Sequence, residues 1–137
     1  MSALADRMQL IASTLAARYP ARVVTRRLQD FASRKADELK KGIYTLVSLG
    51  ESGYANLRDR PAMDGRHRML LIGQMQLPEK SGCDEIENAE FVMVEEVKAF
   101  LSALPPSLAC LEMKAFRQSG QTDHPYAWIA CELEIES

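Results

Sequence analysis

The residues of this 137-residue chain that could do chemistry are two histidines, three cysteines and a short serine-bearing turn. Hydrolysis of the Ser-His-Asp kind needs a serine on a strained strand-to-helix turn, a histidine base and an orienting acid. Gly50-Glu51-Ser52-Gly53-Tyr54 follows a strand pattern, but Tyr54 stands where the G-x-S-x-G elbow needs its second glycine, and no helical pattern follows at once. A serine hydrolase is therefore not expected. Zinc sites take Cys and His ligands in closely spaced pairs. His67 lies alone between Arg66 and Arg68 at a strand start, and His124 precedes Pro125 in a hairpin tip, so both read as surface or turn histidines. Cys83, Cys110 and Cys131 are far apart and form no C-x-x-C. They read as small buried or half-buried thiols in a reducing cytoplasm. Neither phosphate-cradling glycine motif occurs, so the expectation is no metal, no cofactor and no catalytic centre.

Charge is distributed unevenly. Residues 1–41 carry nine Lys/Arg against four Asp/Glu, +5, and the remainder carries eight against fifteen, −7, within a net charge of −2. The basic stretch Arg22, Arg26, Arg27, Arg34, Lys35, Lys40 and Lys41 would suit salt-dependent, sequence-blind contact with phosphates. A solvated basic face or a subunit surface fits better, because the chain as a whole is acidic. Glu79, Asp84, Glu85, Glu87, Glu90, Glu95 and Glu96 read as a solvated helix face whose first acids favour the positive helix end. The tip from Arg117 to Trp128 mixes polar residues with Tyr126 and the single tryptophan, a composition found at interfaces, and a core-facing Trp128 at the strand's start fits equally well. The candidate interface residues are thus Arg26, Arg27, Gln118, Gln121, His124, Tyr126 and Trp128, together with Arg58 and Arg60 in the polar 50–65 connection.

These residues need a scaffold, and the length suits one domain over residues 1–137. The 47% hydrophobic and 26% charged fractions are those of a globular chain. No apolar run approaches the ~20 residues of a membrane span, and the first residues lack the basic-then-apolar pattern of a secretory signal. Leu4, Met8, Ile11 and Leu15 recur at helical spacing, with Ser2 as cap and Tyr19-Pro20 as stop. Val23-Val24 suits a short strand, and 31–39 suits a turn or two of helix behind Asp30. Residues 43–49 and 66–77 read as strands, the second apolar on both faces at Met69-Leu70-Leu71-Ile72. Met93, Val97, Phe100, Leu101 and Leu104 stripe a helix over 85–104, stopped by Pro105-Pro106. Leu111, Met113 and Ala115 alternate with Glu112 and Lys114. Ile129, Cys131, Leu133 and Ile135 alternate with Ala130, Glu132, Glu134 and Glu136, so each run reads as a half-buried strand. The expected fold is α+β, in two layers: a mainly antiparallel four-stranded sheet with two principal helices packed on one face.

This order of elements, and the ending Phe116-Arg117-Gln118, polar tip, Tyr126-Ala127-Trp128-Ile129-Ala130-Cys131-Glu132-Leu133-Glu134-Ile135, resembles the tail-terminator proteins of long-tailed phages and prophages. The resemblance implies a non-enzymatic structural protein that assembles into a six-fold ring, caps the tail tube and presents a surface for head joining. Its partners would be itself and the tail-tube and head-neck proteins, with neither membrane nor nucleic acid as partner. It would act in the host cytoplasm during assembly and then in the virion tail. The alternatives are a small nucleic-acid-binding module using Arg22–Lys41 and, second, a small hydrolase or transferase whose site carries no legible motif.

Overall fold

The computed structural model describes residues 2–54 and 65–136. Helix α1 (Ala3–Arg18) begins where Ser2 Oγ accepts the Ala5 N–H at 3.1 Å and ends at Tyr19, before Pro20. Its Met8, Ile11, Ala12 and Leu15 are buried. Strand β1 (Val23–Thr25) follows, then a single 3-10 turn over Phe31–Ser33 capped by Asp30, and the short helix α2 (Ala36–Lys41). Gly42 stops α2 with φ +87°, a conformation glycine adopts without a Cβ penalty. A Cβ here would also meet the Arg22 guanidinium at 2.5 Å.

Strands β2 (Ile43–Ser52) and β3 (Arg66–Gln76) pair antiparallel, and helix α3 (Cys83–Leu101) leads to β4 (Glu112–Gln118) and β5 (Tyr126–Glu136). The sheet order is β1-β2-β3-β5-β4. Every pairing is antiparallel except β1 with β2, which is parallel. The expected four-stranded sheet is thus a five-stranded mixed one. The fifth strand is the short one expected at Val23-Val24; its three residues are too few for a side-chain period that would place it in the sheet.

Along β5, Ile129, Cys131, Leu133 and Ile135 turn to one face and meet α3, while Tyr44 and Leu46 of β2 and Met69 and Leu71 of β3 continue that face beneath α1 and α3. Each large apolar side chain buried there contributes roughly 1.5–3 kcal/mol relative to exposure. At Gly73 the helix layer comes so near the sheet that a Cβ would lie 2.8 Å from both Ile129 Cγ1 and Met93 Cε. Burial also pushes the Cys131 thiol up to about 12, so it is a protonated, apolar filler. Cys83 and Cys110, by contrast, are exposed rather than half-buried, since they sit at the start of α3 and in the turn before β4.

The opposite face is only partly covered. Residues 27–41 cross it at the β2–β3 end: Arg34 donates to Arg27 O (2.7 Å), Thr45 Oγ1 (2.9 Å) and Gln74 Oε1 (3.4 Å), and Gln74 Nε2 returns a bond to Gln29 O (3.1 Å). Two helices therefore lie on one face, as expected, and the third, α2, belongs to the stretch that crosses the other. In β4 a register shift between Met113 and Ala115 breaks the expected alternation. Ala115 pairs with Glu132 and is exposed, and Phe116, across from Cys131, takes the inward place. An extra residue in one strand turns every later side chain to the other face.

Candidate functional site

Three polar arrangements and one groove stand out. The first joins α1, β1, β2 and α3. Arg22 meets Glu96 through both carboxylate oxygens (Nε–Oε1 3.0 Å, Nη2–Oε2 2.8 Å) and donates a third bond to Lys41 O. The Tyr44 hydroxyl lies 2.8 Å from Glu96 Oε1 and 3.0 Å from Met93 O, and Tyr19 Oη donates to Glu96 O at 2.9 Å. Hydrogen bonding to Glu96 raises Arg22 above its ordinary value, and burial together with that carboxylate raises Tyr44 far above the phenol range. The group works as a clamp between layers.

The second arrangement fastens the β4–β5 tip to α3. Glu90 is 1% exposed, and its carboxylate accepts from Ser119 Oγ, Gln118 Nε2 (3.3 Å) and the Trp128 N–H (3.0 Å). β4 ends at Gln118, opposite Ile129, so the carboxylate of Glu90 replaces the next ladder partner of β5. One turn earlier, Glu87 Oε2 accepts from Gln121 Nε2 at 2.9 Å. The acidic run expected as a solvated helix face is therefore solvated only in part. Glu90 and Glu96 fall on the buried side of α3, where donors from the tip and from Arg22 satisfy them.

The third arrangement corrects the reading of His67, which is 2% exposed rather than at the surface. The β2 bulge between Ser48 and Gly50 lets Ser48 Oγ come within 2.8 Å of His67 Nε2, under the first turns of α1. A cavity of about 240 Å³ opens there, lined by Leu4, Ala5, Met8, Arg26, Ser48 and Glu51. Burial, and then the charge of Arg7, hold the imidazole below its ordinary pKa, with Glu51 opposing. Nucleophilic serine chemistry would further need an orienting acid on Nδ1 and free donors for an oxyanion. Nδ1 is buried with no hydrogen-bond partner among the described residues, and the Gly50 N–H points at Ser48 Oγ itself (3.3 Å). Ser52, the serine weighed from sequence, ends β2 and is not part of this pair.

The groove lies on the partly covered sheet face. Leu28, Gln29, Asp30 and Phe31 form one wall, and Ile72, Gln74 and Trp128 form the floor, enclosing about 440 Å³. Phe31 stacks on Tyr126 with ring centroids 4.4 Å apart, and Trp128 Nε1 donates to Asp123 Oδ2 at 2.8 Å, so both aromatics are held in place. Leu28 is 56% exposed at the lip. Farther along this face Arg66 bridges Glu134 (2.6 Å) and Glu112 (2.8 Å), and Lys114 reaches Glu112 (2.8 Å).

The candidate interface residues are thereby separated. Trp128 lines the groove, and Tyr126 stacks on Phe31 of its wall. Gln118 and Gln121 turn inward to Glu90 and Glu87, while His124, exposed, places Nε2 2.9 Å from Ser81 O. Arg26 and Arg27 are exposed just after β1, and Arg58 and Arg60 lie outside the described residues. Of the basic stretch, Arg22 and Arg34 are engaged internally, which leaves fewer cations for phosphates. Leu28 and Phe31 were missed as groove residues; the only signal they carry is an apolar pair inside a basic, turn-rich stretch. Among the described residues no three His, Cys, Asp or Glu side chains gather as a metal site would require. No helix among them is long and apolar enough to cross a membrane. No protein-family model matches the chain, and no curated protein matches it either.

Proposed function

We propose that the chain is a structural assembly protein of the tail-terminator type, which joins copies of itself into a ring on the end of a phage or prophage tail tube. The observation that carries this reading is the contrast between the two sheet faces. One is closed by α1 and α3, while the other keeps an open groove floored by Ile72 and Trp128 with Leu28 exposed at its lip. An apolar recess of fixed aromatics rimmed by charge is the composition of a protein interface core. The resemblance in element order and in the closing hairpin supplies the rest of the reading.

Sedimentation of the purified chain together with negative-stain imaging tests it. The expected result is a discrete multimer seen as rings, which bind the ends of tail tubes. A chain that stays monomeric at high concentration and ignores tubes would sink the reading. Steep salt-dependent DNA binding by such a monomer would favour the basic module instead.

A further inference from the structure

We propose that mild acid opens the start of α1: a proton taken up by the buried His67 lifts the first turns of the helix from the sheet while the rest of the fold stays closed. The device does not depend on the ring-forming reading. His67 is 2% exposed and lies across from Glu51 of β2 and Ile135 of β5. Leu4, Ala5 and Met8 of α1 roof the cavity of about 240 Å³ beside it. Its Nε2 is engaged with Ser48 Oγ, and its Nδ1 is buried without a hydrogen-bond partner among the described residues. A neutral ring with its proton on Nε2 donates to Ser48 and leaves only a lone pair on Nδ1. An imidazolium carries N–H on both nitrogens, and a charged donor buried without an acceptor is costly.

The charges around the ring oppose a further cation. Arg7 of α1 and Arg26, just after β1, stand there with one carboxylate, Glu51, which also accepts from the Tyr54 hydroxyl at 2.6 Å. On β3 and β5 the charged neighbours Arg66, Arg68, Glu134 and Glu136 alternate to the opposite sheet face, where Arg66 pairs with Glu134. The seating of α1 decides which part gives way. Leu4 is 40% exposed, Met8 3%, and Ile11 and Leu15 0%, so the helix is anchored along its later turns and only lightly at its start. Lifting that start admits water to the Nδ1 proton and leaves the core beneath Ile11 and Leu15 in place. A local opening of this kind costs less than unfolding the whole chain.

Residue-resolved amide exchange of the full chain between about pH 7.5 and 5.5, corrected for the intrinsic pH dependence of exchange, tests this. The informative amides are those of Arg7 to Leu10, whose helical bonds run back to the first turn. Their protection is expected to fall about tenfold over that range, the limit for one proton bound with the ordinary pKa of 6.5 in the opened state. Protection in the second half of α1, in α3 and in β5 is expected to hold. In His67→Gln, which takes up no proton, protection at Arg7 to Leu10 is expected to stay constant. Unchanged protection at these amides in the wild-type chain overturns the device. So does a fall shared equally with α3 and β5, which marks loss of the whole fold. A folded His67→Gln chain that keeps the pH dependence overturns it too; if circular dichroism shows that variant unfolded, the wild-type profile alone decides.

Discussion

At the scale of single residues, burial decides which ionisable groups matter. His67 is held below the ordinary histidine value of 6.5, so the folded state resists the proton that the unfolded chain accepts. Above that value both states are neutral and the group contributes no pH dependence. As the pH falls below it the unfolded chain binds more protons, and stability declines until the folded pKa is passed. Denaturant titrations between pH 6.5 and the ordinary carboxylate value of 4.5 are expected to show this decline, and His67→Gln should flatten it. Glu96 makes a different prediction. Its removal leaves Arg22 and Tyr44, both largely shielded, without their charged partner. Glu96→Ala should cost about 3 kcal/mol in urea unfolding, the low end for breaking a buried pair. A loss below about 1 kcal/mol, typical of an exposed pair, would contradict the clamp.

Among elements, what the sequence made legible follows from period and length. The β5 alternation, the α1 stripe and the α3 stripe each span several repeats, and the core uses their inward residues except Leu4, which is 40% exposed at the first turn of α1. The three residues of β1 span barely one repeat, so their parallel pairing with β2 could not be read. The β4 bulge was hidden because Ala115 is small enough to suit either face, and the outcome depends on pairing with β5. His67 looked exposed because arginines flank it, although in a strand the neighbours point to the opposite face. Glu90 looked solvated because the donors that satisfy it lie 28 to 38 residues away. Replacing it tests that fastening: Glu90→Ala leaves the buried Ser119 hydroxyl and the Trp128 N–H without their acceptor. Stability should fall by about 2–4 kcal/mol, with faster amide exchange at the β4–β5 tip. Gly73→Ala should cost about 1–3 kcal/mol by forcing Ile129 and Met93 apart from their present packing.

For the whole molecule, the basic residues 1–41 and the acidic remainder, +5 against −7, imply a salt-sensitive association in the proposed assembly. Raising ionic strength from 0.1 to 1 M shortens the screening length from about 10 to about 3 Å, so sedimentation should show weaker assembly. Reversing Arg26 and Arg27 to Glu should lower the association constant roughly tenfold, as expected for two exposed pairs of up to about 1 kcal/mol each. Unchanged assembly in that variant would remove the electrostatic part of the contact and leave the fold intact. The bulge in β4 has a consequence for the unassembled chain. β4 lies at the rim of the sheet, where a flat strand would template stacking with any other chain. The kink between Met113 and Ala115, with charged Glu112 and Lys114 exposed beside it, spoils that template. Chains at high concentration are thereby guarded against fibrous stacking through this edge.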